Sequence, residues 1–92
     1  MLRVLGLTAP FNRAVRRLAS PGTAERRAVV DVLRDMCRAE LPGPDDFEAL
    51  ALPVGVAWVR HIAPFRLWLV YRFDATRVTV SGLVDREPVR VE

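Results

Sequence analysis

The stretch "PFRLWLVYRFD", residues 64–74, decides how the chain is read. Successive side chains on a strand point to opposite sides of a sheet, so period two divides the stretch into two faces. Phe65, Leu67, Leu69, Tyr71 and Phe73 fall on one face, and Arg66, Trp68, Val70 and Arg72 on the other. The first set belongs against a core, and Tyr71 reads as a core tyrosine. The second carries two fixed positive charges around a tryptophan, and this face is expected to meet a partner.

Period two extends to both sides. Residues 54–62, "VGVAWVRHI", 66–73, "RLWLVYRF", and 77–85, "RVTVSGLVD", read as three strands joined by connections short enough for hairpins. Before residue 41 the period is helical. Phe11, Ala14, Val15 and Leu18 fall at i, i+3, i+4 and i+7 behind Pro10, and "ASPGT" breaks the pattern. Ser20-Pro21 is expected to cap a second helix over about 22–40, with Val29, Val30, Leu33, Met36 and Cys37 as its buried stripe. Arg27 with Asp31, and Asp35 with Arg38, stand at helical neighbour spacing on its wet side. "LPGPDDFEALALP", residues 41–53, ends that helix through its prolines and reads as a loop whose carboxylates are solvated. With "MLRVLGLT" as a first strand, the expected architecture is α+β. It comprises an N-terminal strand, a two-helix hairpin and a three-stranded antiparallel meander, in a single domain over residues 1–92.

Composition narrows the chemistry. All 14 basic residues are arginine, against 11 acidic residues, for a net charge of +3. Codon usage is one source of that bias, but partners still meet only guanidinium groups, planar forks suited to phosphate and carboxylate. The single cysteine, Cys37, excludes an internal disulfide and reads as a small core residue. The N-terminus is short in apolar length for a signal peptide. The longest uncharged run, residues 49–59, is about half a membrane span and contains Pro53. A cytoplasmic protein without a membrane segment is the expectation. No Gly-rich phosphate loop is present, and "DDFE" at 45–48 has no metal-ligand cluster beside it in sequence, so neither a metal nor a cofactor is expected.

The order of elements, with "FNRAVRRL" early and "FRLWLVYRFDATRVTVSGLVDRE" late, resembles the RelE/ParE superfamily of bacterial toxin–antitoxin toxins. The early segment is similar to the family's first helix, with its "R-A-x-x-x-L" type of pattern. The late segment is similar to its "Y-R-x-x-Y-x-x-D" strand and the following strand that ends in "H-R". The resemblance implies a small basic toxin held inactive by a cognate antitoxin. In the RelE-like branch it implies cleavage of messenger RNA on the ribosome. In the ParE-like branch it implies inhibition of DNA gyrase without nuclease chemistry, and a non-toxic binding module of the same fold is a third reading. On this resemblance Arg66 falls at the arginine of "Y-R", with Phe65 for the tyrosine. Arg86 falls at the arginine of "H-R", with Asp85 for the histidine. Arg60 and His61 fall where RelE-like nucleases carry basic residues. The pattern departs in one spacing: Tyr71 follows Arg66 by five positions instead of three, so the arginine match needs a gap or a shift to Arg72.

RNA cleavage without a metal needs a base for the 2′-hydroxyl, donors for the phosphate and an acid for the leaving oxygen. Arg66 and Arg86 are expected at the cleaved phosphate, and Arg60 and Arg72 at neighbouring ones. None of them moves protons readily, because arginine stays charged. His61 is the single histidine and the expected proton carrier, although alternation sets it opposite Arg60 on its strand. Trp68 is expected to stack on an unpaired base, or else to pack in the sheet surface or beneath an antitoxin helix. The absence of lysine and of a C-terminal tyrosine favours the gyrase-directed reading.

Overall fold

Both helices open on a threonine. A computed structural model of the chain describes residues 2–51 and 55–91. After strand β1 (Val4–Leu7), the Thr8 hydroxyl accepts the Phe11 N–H at 3.3 Å and caps helix α1 (Ala9–Leu18). Pro10 lies in the first turn, where its missing N–H costs no helical bond. Helix α2 (Ala24–Arg38) starts the same way, with Thr23 accepting the Arg26 N–H at 3.2 Å. The cap is therefore Thr23 and not Ser20-Pro21. The Ser20 carbonyl accepts the Thr23 hydroxyl at 2.7 Å, so the Ser20–Thr23 turn serves to deliver the cap.

The sheet has five strands where the sequence suggested four. They are β1, β2 (Phe47–Ala51), β3 (Gly55–His61), β4 (Trp68–Phe73) and β5 (Arg77–Val84), in spatial order β1-β5-β4-β3-β2. The meander of β3, β4 and β5 is as expected, but β2 extends it antiparallel at one edge, and β1 lies parallel to β5 at the other. The prolines at 42 and 44 end α2 as read, yet the chain regains pairing at once through Phe47 opposite Val59 and Ala49 opposite Ala57. The Val54 start expected for the next strand lies outside the described residues.

Strand β4 begins at Trp68, not at Arg66. The Ile62 N–H donates to the Leu67 carbonyl at 2.9 Å and the Phe65 N–H to the Ile62 carbonyl at 3.0 Å. These bonds close the hairpin and leave Arg66 in its connection. At the next hairpin, the Asp74 carboxylate accepts the N–H groups of Thr76 and Arg77 at 2.8 Å each, an Asx-type turn.

The two faces of β4 separate as the alternation requires. Leu67, Leu69 and Tyr71 join Phe11, Ala14, Val29, Met36, Val78, Val80 and Leu83 in the core beneath the helices, with Leu18 and Leu33 packed against it. Trp68 and Val70 join Phe47, Ala49, Ala57 and Val59 in a smaller cluster on the outer face. After β5 the chain crosses to the free edge of β2, where Arg90 bridges Ala49 and the Val91 N–H reaches the Glu48 carbonyl at 2.9 Å. Cys37 is half-buried, and Asp35 pairs with Arg60 instead of Arg38. No helix among the described residues is long and apolar enough to cross a membrane.

Leu69 is fully enclosed at the centre of the helix-side core. Leu69→Ala is expected to cost about 2–5 kcal/mol, a large share of a small domain's stability. A fall in the urea midpoint with an unchanged slope would register it. A loss below about 1 kcal/mol would contradict this core.

Candidate functional site

The site is built around a carboxylate that the sequence reading placed in water. Asp46 sits just before β2, and its side chain is only 4% exposed. It accepts Arg60 Nε at 3.0 Å, Arg60 Nη2 at 3.0 Å and the Gly43 N–H at 2.8 Å. The Tyr71 hydroxyl also donates to it. Arg60 reaches onward to Asp35 of α2 at 3.1 Å. Burial by itself would raise the Asp46 carboxyl, but the hydrogen bonds from Arg60, Tyr71 and Gly43 outweigh it and hold the group below the ordinary carboxylate range. Burial, then the bond to Asp46 and its negative charge, push the Tyr71 phenol well above its ordinary value. A Cβ at position 43 would come within 2.5 Å of Arg60 Nη2, so a larger residue there would push the guanidinium off Asp46.

This network walls one side of a cleft of about 600 Å³ at the end of the sheet. The lining includes Asp35, Glu40, Asp45, Asp46 and Glu87, together with Arg60, His61, Phe47, Trp68 and Arg90. Two stacks face it. The His61 ring lies on Trp68 with centroids 4.9 Å apart and planes 18° apart, and the Arg90 guanidinium lies 4.0 Å from the centroid of Phe47. The His61 Nε2 is 2.8 Å from the Phe65 carbonyl. A carbonyl only accepts, so Nε2 carries the hydrogen and Nδ1 is left to take up or hold a proton. Among the described residues no hydrogen bond engages Nδ1.

Register places the expected residues at two ends of the sheet. His61 and Val84 both stand opposite Trp68, Arg66 precedes Trp68 by two positions, and Arg86 follows Val84 by two. His61, Trp68, Arg66 and Arg86 therefore share one end. Arg72 stands opposite Thr79 toward the other end, where its Nη2 donates to the Val56 carbonyl at 2.9 Å. The shared face expected for Arg66, Trp68 and Arg72 is thus broken by the hairpin at Arg66. Arg60 departs further. Its face of β3 turns toward the helices, and it pairs with Asp46 and Asp35. His61 instead occupies the outer face with Trp68, so its opposition to Arg60 joins it to the exposed end of the sheet. Trp68 is 8% exposed and stacked on His61, so of these two cleft-lining rings the imidazole is the more open. Asp46, Phe47 and Arg90 were absent from the expected set. The one available signal was Arg60 itself, a charge at helix-facing parity that demands a buried counter-ion. Among the described residues no group of three or more His, Cys, Asp and Glu is placed to hold a metal ion.

The fold has known counterparts. The crystal structure of YafQ from E. coli strain BL21(DE3) superposes with a TM-score of 0.66 at 14% identity, over 88% of this chain and 90% of that one. The solution structure of the conserved hypothetical protein HP0894 from Helicobacter pylori superposes with a TM-score of 0.57 at 24% identity, over 90% and 92%. No family model and no curated protein matches the sequence. Both neighbours share the fold of this chain over nearly its whole length.

Arg60→Ala would leave the Asp46 carboxylate buried without its cation, and is expected to cost about 3–5 kcal/mol. Tyr71→Phe removes one bond to a charged acceptor, at about 1.5–3 kcal/mol. The pH dependence has two limbs. The folded-state pKa of Asp46 is depressed, so its stabilisation is present above the ordinary carboxylate range and is lost as pH falls through the lower folded-state value. That of Tyr71 is raised, so its stabilisation is present below the ordinary phenol range and is lost as pH rises above it. Urea midpoints measured across pH should show both limbs. The Asp46→Asn chain should show a flattened acid limb, and an unchanged one would remove Asp46 from this role.

Proposed function

We propose that the chain is the toxin of a type II toxin–antitoxin pair, acting on messenger RNA at the end of the sheet that carries His61, Arg66 and Arg86. One observation carries the reading: a histidine with a free Nδ1 stands at the same sheet end as two arginines whose side chains make no hydrogen bond or ion pair among the described residues. In the proposed step, His61 Nδ1 takes the proton of the RNA 2′-hydroxyl. The 2′-oxygen attacks the adjacent phosphorus, and the bond to the 5′-oxygen breaks. The products are a 2′,3′-cyclic phosphate and a 5′-hydroxyl end, whose proton comes from water. Arg66 and Arg86 hold the phosphate oxygens as negative charge builds. Arg72, toward the far end of the sheet, serves a neighbouring phosphate. Cytoplasmic action on the ribosome belongs to the same proposal.

The inhibitory partner is an antitoxin with an acidic, partly apolar segment. Arg13, Arg16 and Arg17 are exposed on α1, and the edge strand β1 presents exposed Val4 and Leu7 beside exposed Leu2. Such a segment would meet charge and an open strand edge together. A second reading, a gyrase-directed inhibitor without catalysis, is favoured by the scarcity of proton carriers: His61 is the one histidine, lysine is absent, and Tyr71 is buried in the Asp46 network.

Arg66→Ala and Arg86→Ala are each expected to relieve growth arrest in cells while leaving the melting temperature unchanged, since both side chains are exposed. The rate loss should be on the order of 100-fold or more. His61→Ala should lose cleavage comparably, by roughly 100-fold or more. Primer extension on cellular messages, run beside a gyrase supercoiling assay, separates the readings. Intact messages with inhibited supercoiling would replace the RNA reading with the gyrase one.

A further inference from the structure

The cleft and its rim differ in charge. Arg60 pairs with both Asp35 and Asp46, which leaves that group one negative charge in excess, and Glu40, Asp45 and Glu87 stand in the lining beside Arg90. Phosphate is repelled from such a space and drawn to Arg66 and Arg86 outside it. Carboxylates alone would be an ordinary solvated face. Here two flat groups stand in the same cleft: the imidazole backed by Trp68, and the guanidinium backed by Phe47. Phe47 pairs with Val59, which makes it the diagonal neighbour of His61, roughly 7–8 Å away along the sheet. Imidazole rings and guanidinium planes are surfaces on which unstacked bases settle.

We infer that the cleft takes one splayed base of the RNA and prefers guanine. This rests on the RNA reading above and extends it to the substrate. A nucleotide would enter base first, stacked on His61 or Arg90, with its phosphates left on the arginine rim. The edge preference follows from what carboxylates accept. Guanine presents N1–H and the N2 amino group side by side, two donors matching the two oxygens of one carboxylate. Uracil presents a single N3–H between two carbonyls, which a carboxylate repels. Adenine and cytosine each set a ring acceptor next to their amino donor. Glu87 on the tail and Asp45 on the loop, both exposed, are the groups placed to read that edge.

His61 supplies its own probe, because its ring protons are the sole imidazole signals of the chain. Guanosine 5′-monophosphate and uridine 5′-monophosphate are titrated separately into the full-length protein, and the His61 ring protons are followed by NMR. The expected result is an upfield shift with the guanine nucleotide at roughly tenfold or more tighter binding than the uracil one, in line with the discrimination of a bidentate base contact. Glu87→Gln and Asp45→Asn, exposed changes that leave the fold intact, should together narrow that ratio toward one. Equal binding of both nucleotides, no movement of the ring signals, or a ratio unaltered in the double variant would overturn the inference. So would a basic peptide shifting the signals where neither nucleotide does. The RNA reading is scored apart from this by message cleavage in cells. Cleavage without nucleotide preference sinks only the base site, and guanine binding by a chain that cleaves nothing sinks only the nuclease.

Discussion

The Asp46 carboxylate is the point on which the sheet end depends. A buried carboxylate without partners is costly enough that its donors must arrive together. Arg60 comes from β3, Tyr71 from β4 and the Gly43 N–H from the loop, so satisfying one side chain ties three segments to each other. The second arm of Arg60 adds α2 through Asp35. The next residue, Phe47, begins β2 opposite Val59. Phe47 in turn gives Arg90 the ring it lies on, and the tail its place along the edge. This end of the sheet is therefore tied together from the helix side, through Asp46, Arg60 and Tyr71.

The arginines divide between two tasks, and environment decides which. Arg60 is enclosed and matched to carboxylates, so it acts as structure. Arg3 reaches the carbonyls of Asp74 and Ala39 and ties the N-terminus to the β4–β5 turn and the end of α2. Arg66 and Arg86 are exposed and make no such bonds among the described residues. A net charge of +3 conceals this division, because the matched arginines contribute little field while the exposed ones act at short range under physiological salt.

Much of this was readable beforehand. The stripe of α1 and the two faces of β4 follow from period alone, as do Val29, Leu33 and Met36 of α2, although Ala28 and Val32 take the places expected for Val30 and Cys37; Leu67, Leu69 and Tyr71 lie where alternation puts them. The failures share a physical cause: local pattern carries no information about pairing across the chain. The 41–53 stretch carries prolines and carboxylates and so reads as loop, yet β2 forms within it because β3 offers an open edge. Arg66 sits at strand parity but falls outside the ladder, because the Ile62–Leu67 pair closes the hairpin first. The partner of Arg60 is 14 positions away and that of Arg90 farther still, distances over which spacing rules say nothing. For His61 the parity rule was right and its implication was reversed: lying opposite Arg60 places it outward, because Arg60 is the residue that faces in.

On the proposed RNA reading, the distribution of proton carriers sets how the cleavage step is divided. In an in-line displacement the attacking and leaving oxygens lie on opposite sides of phosphorus, so one imidazole cannot serve both in the same step. A positioned base or acid contributes typically 10²–10⁴-fold each, and the proposed step assigns one of the two, the base, to His61. The remainder must come from charge. Each well-placed donor to the developing phosphate charge is worth roughly 10²–10³-fold, so two exposed guanidinium groups offset much of the missing acid. That balance favours arginine over lysine at the rim: its fork can hold two phosphate oxygens at once and remains charged throughout. The proposed step is thus mainly electrostatic, with one proton transfer assigned to His61, and it depends on how the nucleotide is oriented between cleft and rim as well as on the imidazole.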